Sequence, residues 1–287
     1  MKNSVSINRR HFLQAGLLGS TALAAANLPQ TLLAGATKPE RDPCDGLKLG
    51  MASYTLRNFG LDEAIAMTKQ AGVKYISLKE VHLPLKSTLA QRQETREAIQ
   101  AAGLVLISGG VIYMKNNEAE VQNDFEYARD TGMPTIVCSP DIDALDLVES
   151  MVKKYDLRIA IHNHGPDNKQ YPSPRDVMRL VKNRDPRMGV CMDVGHTVRI
   201  GEDPVAVIEE CAVRLYDFHM KDVTAPTKQG KATEVGRGVI DIVAVLRSLV
   251  KLKYAGHLGL EYEAHADAPM PGIIESYAYI RGVLAAI

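Results

Sequence analysis

The sequence predicts an α/β chain that closes into a single (β/α)8 barrel, and three observations predict it. From residue 47 onward short β-rich runs alternate with amphipathic stretches, eight such pairs can be counted, and the polar residues capable of chemistry gather where the apolar runs end. Strands that alternate with helices run parallel through right-handed crossovers, and eight units in about 250 residues close most naturally on themselves. A doubly wound open sheet is the competing arrangement.

The run LKLGMASY (47–54) opens the series, followed by GLDEAIAMTKQAG (60–72), apolar at helical spacing and closed by a C-cap glycine. VKYISLK (73–79) is the second strand and TLAQRQETREAIQAAG (88–103) its helix. LVLISGG (104–110), the helical EAEVQNDFEYARDTG (118–132) and the strand TIVCS (135–139) come next. Then follow LRIAIHN (157–163), MGVCMDV (188–194), VRLYDFHMK (213–221), the helical DIVAVLRSLVKLKYAG (241–256) and the last strand, GHLGLEYE (256–263). Each strand run is short, rich in Val, Ile, Leu or Tyr, and bounded by Gly, Pro, Asp or Asn. The endings QAG, AAG, DTG and YAG recur just before the next strand, a weak internal period.

Ahead of the barrel, residues 1–36 are expected to be a twin-arginine-type signal peptide, with Arg9 and Arg10 before Phe12 and Leu13 and a mildly apolar, small-residue stretch behind them. Residues 37–46 are expected to be a linker and 47–287 the catalytic domain. Cys44, in RDPCDG, lacks the small and apolar residues that a lipoprotein signal places before its cysteine. No later stretch supplies about 18 uninterrupted apolar residues, so the expectation is a periplasmic or otherwise exported protein with no membrane span after signal removal. Lysine plus arginine balance aspartate plus glutamate at 34 each, which gives no electrostatic case for nucleic acid or an anionic membrane. A small partner is favoured, and the sequence leaves a homo-oligomer open. The four cysteines are unevenly spaced without a CxxC pair, which reads as buried thiols rather than a disulfide framework.

Barrels of this kind carry their active sites at the C-terminal ends of the strands. Those ends hold Ser53 and Tyr54, Lys79, Glu80 and His82, Tyr113, Ser139, His162, His164 and Asp167, Asp193 and His196, His219, Lys221 and Asp222, and Glu261 and Glu263. Most of the chain's histidines belong to this set. Asp193 closes the apolar run VCMD, where a carboxylate loses its hydration unless a cation meets it; the plainer reading is a cap for the helix that follows. Alternation puts Asp217, His219 and Lys221 on one face of their strand, and Glu261 and Glu263 on one face of the last. Carboxylate and imidazole donors from successive strands suit one divalent ion, Mn²⁺, Zn²⁺, Co²⁺ or Mg²⁺, in an open site rather than a structural zinc cage. Lys79 and His82 can orient or protonate a hydroxyl, although Lys79 reads as well as a partner for Glu80 or Asp222. In IAIHNHGPD (159–167) the choice between metal ligand, substrate ligand and strand end stays open for His162, His164 and Asp167.

HNHGPD, CMDVGH, DFHMKDV, EVGRGVIDI and LGLEYE, in that order over roughly residues 47–287, resemble the sugar phosphate isomerase/epimerase superfamily, the xylose-isomerase-like TIM barrels. The resemblance implies a metal held by an acid at or just after the fifth strand, by Asp193, by His219 and by Glu261. Many relatives have a glutamate where this chain has His162, so Asp167 is the expected first ligand and His164 its alternative. It further implies that His196 touches substrate oxygens and that Arg237, in the loop before the seventh helix, reaches the substrate, with Lys221 and Glu263 beside it.

The activity so implied is isomerisation or epimerisation of a carbohydrate through proton abstraction beside a metal-chelated carbonyl. The histidine-rich first position favours, as alternative, a lyase or dehydratase acting on a keto-glycoside by β-elimination, with His162 or His164 as base and His82 as acid. A non-catalytic sugar-binding barrel and a metal-dependent endonuclease are the readings from other classes; balanced charge and too few histidines for a three-zinc cluster speak against the endonuclease. No basic loop of the kind that cradles a phosphate is evident along the chain.

Overall fold

The structure is a computed structural model that describes residues 44–287; the expected signal segment and most of the expected linker lie outside the described residues. Beginning at β1 (Lys48–Ala52), the chain runs through α1 (Leu61–Gln70), β2 (Tyr75–Leu78), α2 (Leu89–Ala101), β3 (Val105–Met114), α3 (Glu118–Thr131), β4 (Thr135–Pro140) and α4 (Leu145–Tyr155). The second half is β5 (Arg158–His162), α5 (Pro174–Val181), β6 (Met188–Asp193), α6 (Val194–Arg199), α7 (Pro204–Cys211) and β7 (Leu215–Met220), then a short ribbon of β8 (Asp222–Val223) and β9 (Ala232–Thr233), α8 (Ile242–Lys251), β10 (His257–Leu260) and α9 (Met270–Ala286). Eight parallel strands close in the order β1-β10-β7-β6-β5-β4-β3-β2, which is the barrel expected from the alternation; β8 and β9 form a separate antiparallel pair.

The helices begin and end for local reasons. Thr88 accepts from the Gln91 amide at 3.3 Å while the Gln91 side chain accepts from the Thr88 amide at 2.9 Å, a capping box that starts α2. Pro174 sits at the first position of α5 behind a Ser173 cap. At the other end of α3, Gly132 takes a left-handed φ of 79° that a side chain would resist, as the DTG ending anticipates.

Side-chain alternation along the strands sorts the interior into two sets. Ile159 and Ile161 of β5 join the large apolar cluster that includes Phe125 of α3 and Val177 of α5, whereas Ala160 packs in a smaller one with Val111, Val137 and Cys191. By that alternation His162 shares the face of Ala160, and so looks into the barrel. Strand register then places the site: His162 lies opposite Cys191, and Asp193 lies opposite His219. The Glu261 amide donates to the Met220 carbonyl at 2.9 Å just past the last paired residues of β7 and β10. β3 runs on to Met114, past the expected end at Gly110, because VIYM is itself β-rich and its register with β4 shifts between Gly109 and Ile112. That extension carries Val111 and Tyr113 to the mouth. Among the described residues no helix is long and apolar enough to cross a membrane, and Cys138, Cys191 and Cys211 are buried thiols.

Candidate active site

Four side chains from four strand ends, His162, Asp193, His219 and Glu261, converge so that one donor atom of each lies within 4.8 Å of every other. His162 Nε2 is 3.0 Å from His219 Nδ1 and 3.8 Å from Asp193 Oδ2, and His219 Nδ1 is 3.2 Å from Glu261 Oε2. All four residues are buried. Donors held about 2.0 to 2.2 Å from a common first-row ion stand about 3 to 3.5 Å apart, so the spacing fits a metal. Two imidazoles with two carboxylates are donors that such an ion takes.

Asp193 shows how one residue serves both readings of its motif. Its Oδ1 caps α6, accepting the His196 amide at 2.7 Å, while its Oδ2 turns toward the cluster. The neighbouring Asn163, turned away from the two histidines that flank it, accepts the Asp193 amide at 2.8 Å and donates to Thr197 Oγ1 at 3.2 Å. The HNH segment thereby fixes the end of β6 as well as supplying a donor.

Lys221 supplies the counter-charge. Its Nζ lies 3.0 Å from each of Asp193 Oδ2, Glu261 Oε2 and Glu263 Oε2. Burial works against its charged form, but the three carboxylates outweigh it and hold the ammonium well above the ordinary lysine range. Burial likewise opposes ionisation of Glu261 and Asp193; His219 with Lys221 keeps Glu261 well below its ordinary value, and His196 with Lys221 lowers Asp193. For His219, burial is overcome by Cys191 and Glu261, which push it up. His162 goes the other way, well down, through burial and the nearby His219 and His164.

Above the cluster a cavity of about 320 Å³ is lined by Tyr54, Lys79, Val111, Tyr113, His162, His164, Glu261 and Glu263. The His164 ring is 4.4 Å from that of His162, and its Nε2 is 3.3 Å from the Tyr113 hydroxyl. Burial and the neighbouring His196 push His164 down to about 4, so it is a neutral imidazole at pH 7, and its buried Nδ1 has no hydrogen-bond partner. Lys79 donates to the Val111 carbonyl at 3.0 Å and lies 3.9 Å from Glu80, with burial lowering its pKa. Its pairing with Glu80 is the plainer reading of that lysine, yet the side chain also lines the cavity.

The structure brings Asp193, His219, Glu261, Lys221, Glu263, His162, His164 and Lys79 together at the mouth, with His196 3.9 Å from Asp193 Oδ2. Three expectations need correction. Asp167 is not in the cluster: the turn Gly165–Asp167 directs it outward, where its half-exposed carboxylate pairs with Arg199 at 3.0 Å and Lys228 at 3.6 Å. The donor at the end of the fifth strand is His162 itself; His164, the alternative first ligand, stands beside the cluster in the cavity wall. His82 is buried between the Ser53 hydroxyl, 2.9 Å from Nδ1, and the Leu56 carbonyl, 3.2 Å from Nε2, and does not line the cavity where an acid was expected. Arg237 is exposed and pairs with Glu275 of α9 rather than facing the site.

The loop that holds Arg237 has a structural purpose. The Asp222 carboxylate accepts the amides of Gly236 and Gly238 at 2.9 Å each and of Ile240 at 3.2 Å. A side chain at Gly238 would meet Asp222 at 2.1 Å, which is why this loop needs glycine there. Tyr54 and Tyr113, named at their strand ends without a role, line the cavity, Tyr113 61% exposed at the mouth; Val111 joins them unanticipated, its signal being the β-rich VIYM that prolongs the third strand.

Comparison with known proteins agrees with the geometry. Residues 65–283 match the family profile described as xylose isomerase-like TIM barrel. The chain is 21% identical over 242 residues to an inosose dehydratase of Geobacillus kaustophilus, covering 79% of this chain and 74% of that protein. It is 28% identical over 141 residues to the rhizopine catabolism protein MocC of Rhizobium meliloti, where the match covers 44% of this chain and 42% of that protein, so the chain spans less than half the length of this relative. The fold is shared with a 3-keto-D-glucoside 4-epimerase of E. coli at a TM-score of 0.67 and 15% identity, over 82% of this chain and 99% of that one.

Proposed function

Starting from the fact that the chain belongs to the xylose isomerase-like TIM barrel family, we propose that it is a divalent-metal-dependent enzyme of the isomerase/epimerase type that removes a proton beside a carbonyl of a carbohydrate. One observation carries this: a metal-sized cluster of two imidazoles and two carboxylates lies beneath a cavity whose wall holds a neutral histidine.

His162, Asp193, His219 and Glu261 would hold the ion. Two imidazoles among the donors favour Zn²⁺, Co²⁺ or Mn²⁺ over Mg²⁺. When bound, the ion polarises a carbonyl and an adjacent hydroxyl and so acidifies the neighbouring C–H. Since His162 is engaged below, the base is His164, neutral at pH 7 and part of the cavity wall. Tyr113 keeps His164 in position through the contact to Nε2, and Lys79, in the same wall, holds or protonates a hydroxyl of the sugar. Lys221 keeps the carboxylates of Asp193 and Glu261 charged and holds that of Glu263 in place.

A second reading is β-elimination from a keto-sugar or keto-glycoside. The observation favouring it is that Glu261 and Glu263, the carboxylates among the described residues lining the cavity, are both engaged by Lys221, which leaves neither free to serve the second face of the substrate that an epimerase must protonate. An inosose dehydratase is also among the relatives.

The test is metal analysis of the purified protein followed by incubation with a panel of keto-sugars in deuterated water. Solvent deuterium at the carbon beside the carbonyl, with an isomer as product, supports the leading reading; loss of water or of an alcohol from the β-position supports the second. Metal present with neither exchange nor elimination across a broad panel overturns both.

A further inference from the structure

Beside the first cavity lies a second, of about 430 Å³, that shares Glu263 with it and is lined by His196, Arg199, Lys221 and Lys231. Arg199 is held in three directions: one terminal nitrogen bonds Asp167 at 3.0 Å and the Lys228 carbonyl at 2.8 Å, and the other lies 3.2 Å from His196 Nδ1. Its Nε, buried, has no partner. Such a guanidinium is already ordered, so a ligand that met its cavity-facing edge would lose little to side-chain ordering.

The charges around this basin are divided between its two sides. Asp167 is shared by Arg199 and Lys228. Lys231, exposed on the ribbon loop, forms no ion pair among the described residues. On the inner side Lys221 is shared by Glu263, Asp193 and Glu261, so that wall is acidic until a divalent ion joins the carboxylates. On the outer side three cations, Arg199, Lys228 and Lys231, meet one carboxylate, Asp167, next to a cavity of ligand size, about 300 Å³ or more.

We propose that the basin is an anion subsite: it takes a carboxylate or phosphate group carried by the substrate whose carbonyl lies over the His162–Asp193–His219–Glu261 cluster. The shared Glu263 makes the two cavities neighbours, so one ligand can occupy both. This rests on the carbohydrate reading above. The substrate class is accordingly an acidic sugar or an acidic glycoside, with Arg199 and Lys231 as the residues that select for it.

The experiment is calorimetric titration of the purified, metal-analysed protein with D-glucuronate, D-glucose 6-phosphate and methyl β-D-glucopyranoside, in low and high salt. We expect at least one of the two acidic sugars to bind tenfold or more tightly than the neutral glucoside, with the preference shrinking in high salt; whichever acid binds more tightly identifies the anion. In Arg199→Gln/Lys231→Gln the ratio should fall below twofold. Lys231→Gln alone, at an exposed position that does not threaten folding, should remove at least threefold of it. Equal affinities for the three sugars, no binding of either acid, or a preference unchanged in Lys231→Gln overturns the subsite. Failure of the enzymatic reading looks different: an anion preference that persists while no keto-sugar exchanges deuterium leaves the subsite standing, and exchange without any preference leaves the chemistry standing.

Discussion

Two buried polar clusters stand one above the other on the same strands, and they behave as opposites. At the mouth, His162, Asp193, His219 and Glu261 point at a common centre beneath an open cavity. Two residues earlier on β7, Asp217 accepts from the Ser108 hydroxyl at 2.6 Å and lies 3.3 Å from His257 Nδ1, and none of the three lines the cavity at the mouth. Room for that histidine is made by backbone: a side chain at Gly50 would meet His257 Nε2 at 2.5 Å, and one at Gly259 would meet its ring at 2.3 Å. Both clusters contain a buried aspartate and histidine, and in both the aspartate is kept charged against the cost of burial, at Asp217 chiefly by His257. Burial and a lowered pKa therefore do not distinguish a site from a structural pair. Convergence of several donors and access to a cavity do.

That contrast can be broken most forcefully at the mouth. His219→Ala and Asp193→Asn should each lower metal affinity by more than about 100-fold, beyond what loss of an outer-shell partner costs, and abolish activity. His162→Gln should do the same, whereas Asp167→Asn should retain the metal; elemental analysis after dialysis against a weak chelator reads all four. Retained metal in His162→Gln together with loss in Asp167→Asn would reverse the ligand assignment.

His164→Gln tests the wall of the cavity rather than its floor. The expectation is full metal content with deuterium exchange slowed by about 10²- to 10⁴-fold, the contribution typical of a positioned base. Single-turnover exchange measured by NMR checks it.

The lower cluster should respond in stability alone. Asp217→Ala leaves His257 and Ser108 without their partner and should cost about 3 kcal/mol, as removal of one member of a buried pair does, with metal content unchanged in the protein that remains folded. Urea denaturation gives the first quantity and elemental analysis the second.

The smallest effect concerns Asp124 on α3, a buried acid outside both clusters. Burial and then the nearby Glu120 push it up to about 7. A carboxyl whose folded pKa exceeds its unfolded value of 3.8 binds its proton more tightly when folded, so it favours the folded state at low pH and ceases to do so as pH rises through about 7. Asp124→Asn should thus be more stable than the parent at pH 8, on the order of 1 kcal/mol, with the gain shrinking toward pH 4. Thermal melts across that range would show it, and a gain independent of pH would refute the titration.

Much of the molecule was legible along the chain. The alternation of β-rich and amphipathic runs yields all eight barrel strands, and the rule that chemistry sits at strand ends collects the mouth residues from Lys79 to Glu263. Motif spacing was less informative about direction. Asp167 was the acid nearest the end of the fifth strand, but a 3-10 turn lies between, and turn geometry, which decides where a side chain points, has no periodic signature. Asp217 shares the strand face of His219, and alternation alone does not say which layer of the barrel a residue occupies. His82 and Arg237 carry suitable chemistry in suitable places, yet Ser53 with Leu56 and Glu275 claim them from 26 to 38 positions away in the chain.

By itself, then, the sequence determined the barrel and gathered Asp193, His219 and Glu261 among the polar residues of its strand ends, because strand periodicity is local and each strand end carries its own residues; the resemblance to a family, not the periodicity, singled those three out as ligands. Only the tertiary structure decided that His162 rather than Asp167 completes the cluster, that Lys221 stands among three carboxylates, and that Arg199 and Lys231 meet at one basin. Those are matters of distance between side chains on different elements, set by strand register and barrel closure, and no spacing along the chain encodes them.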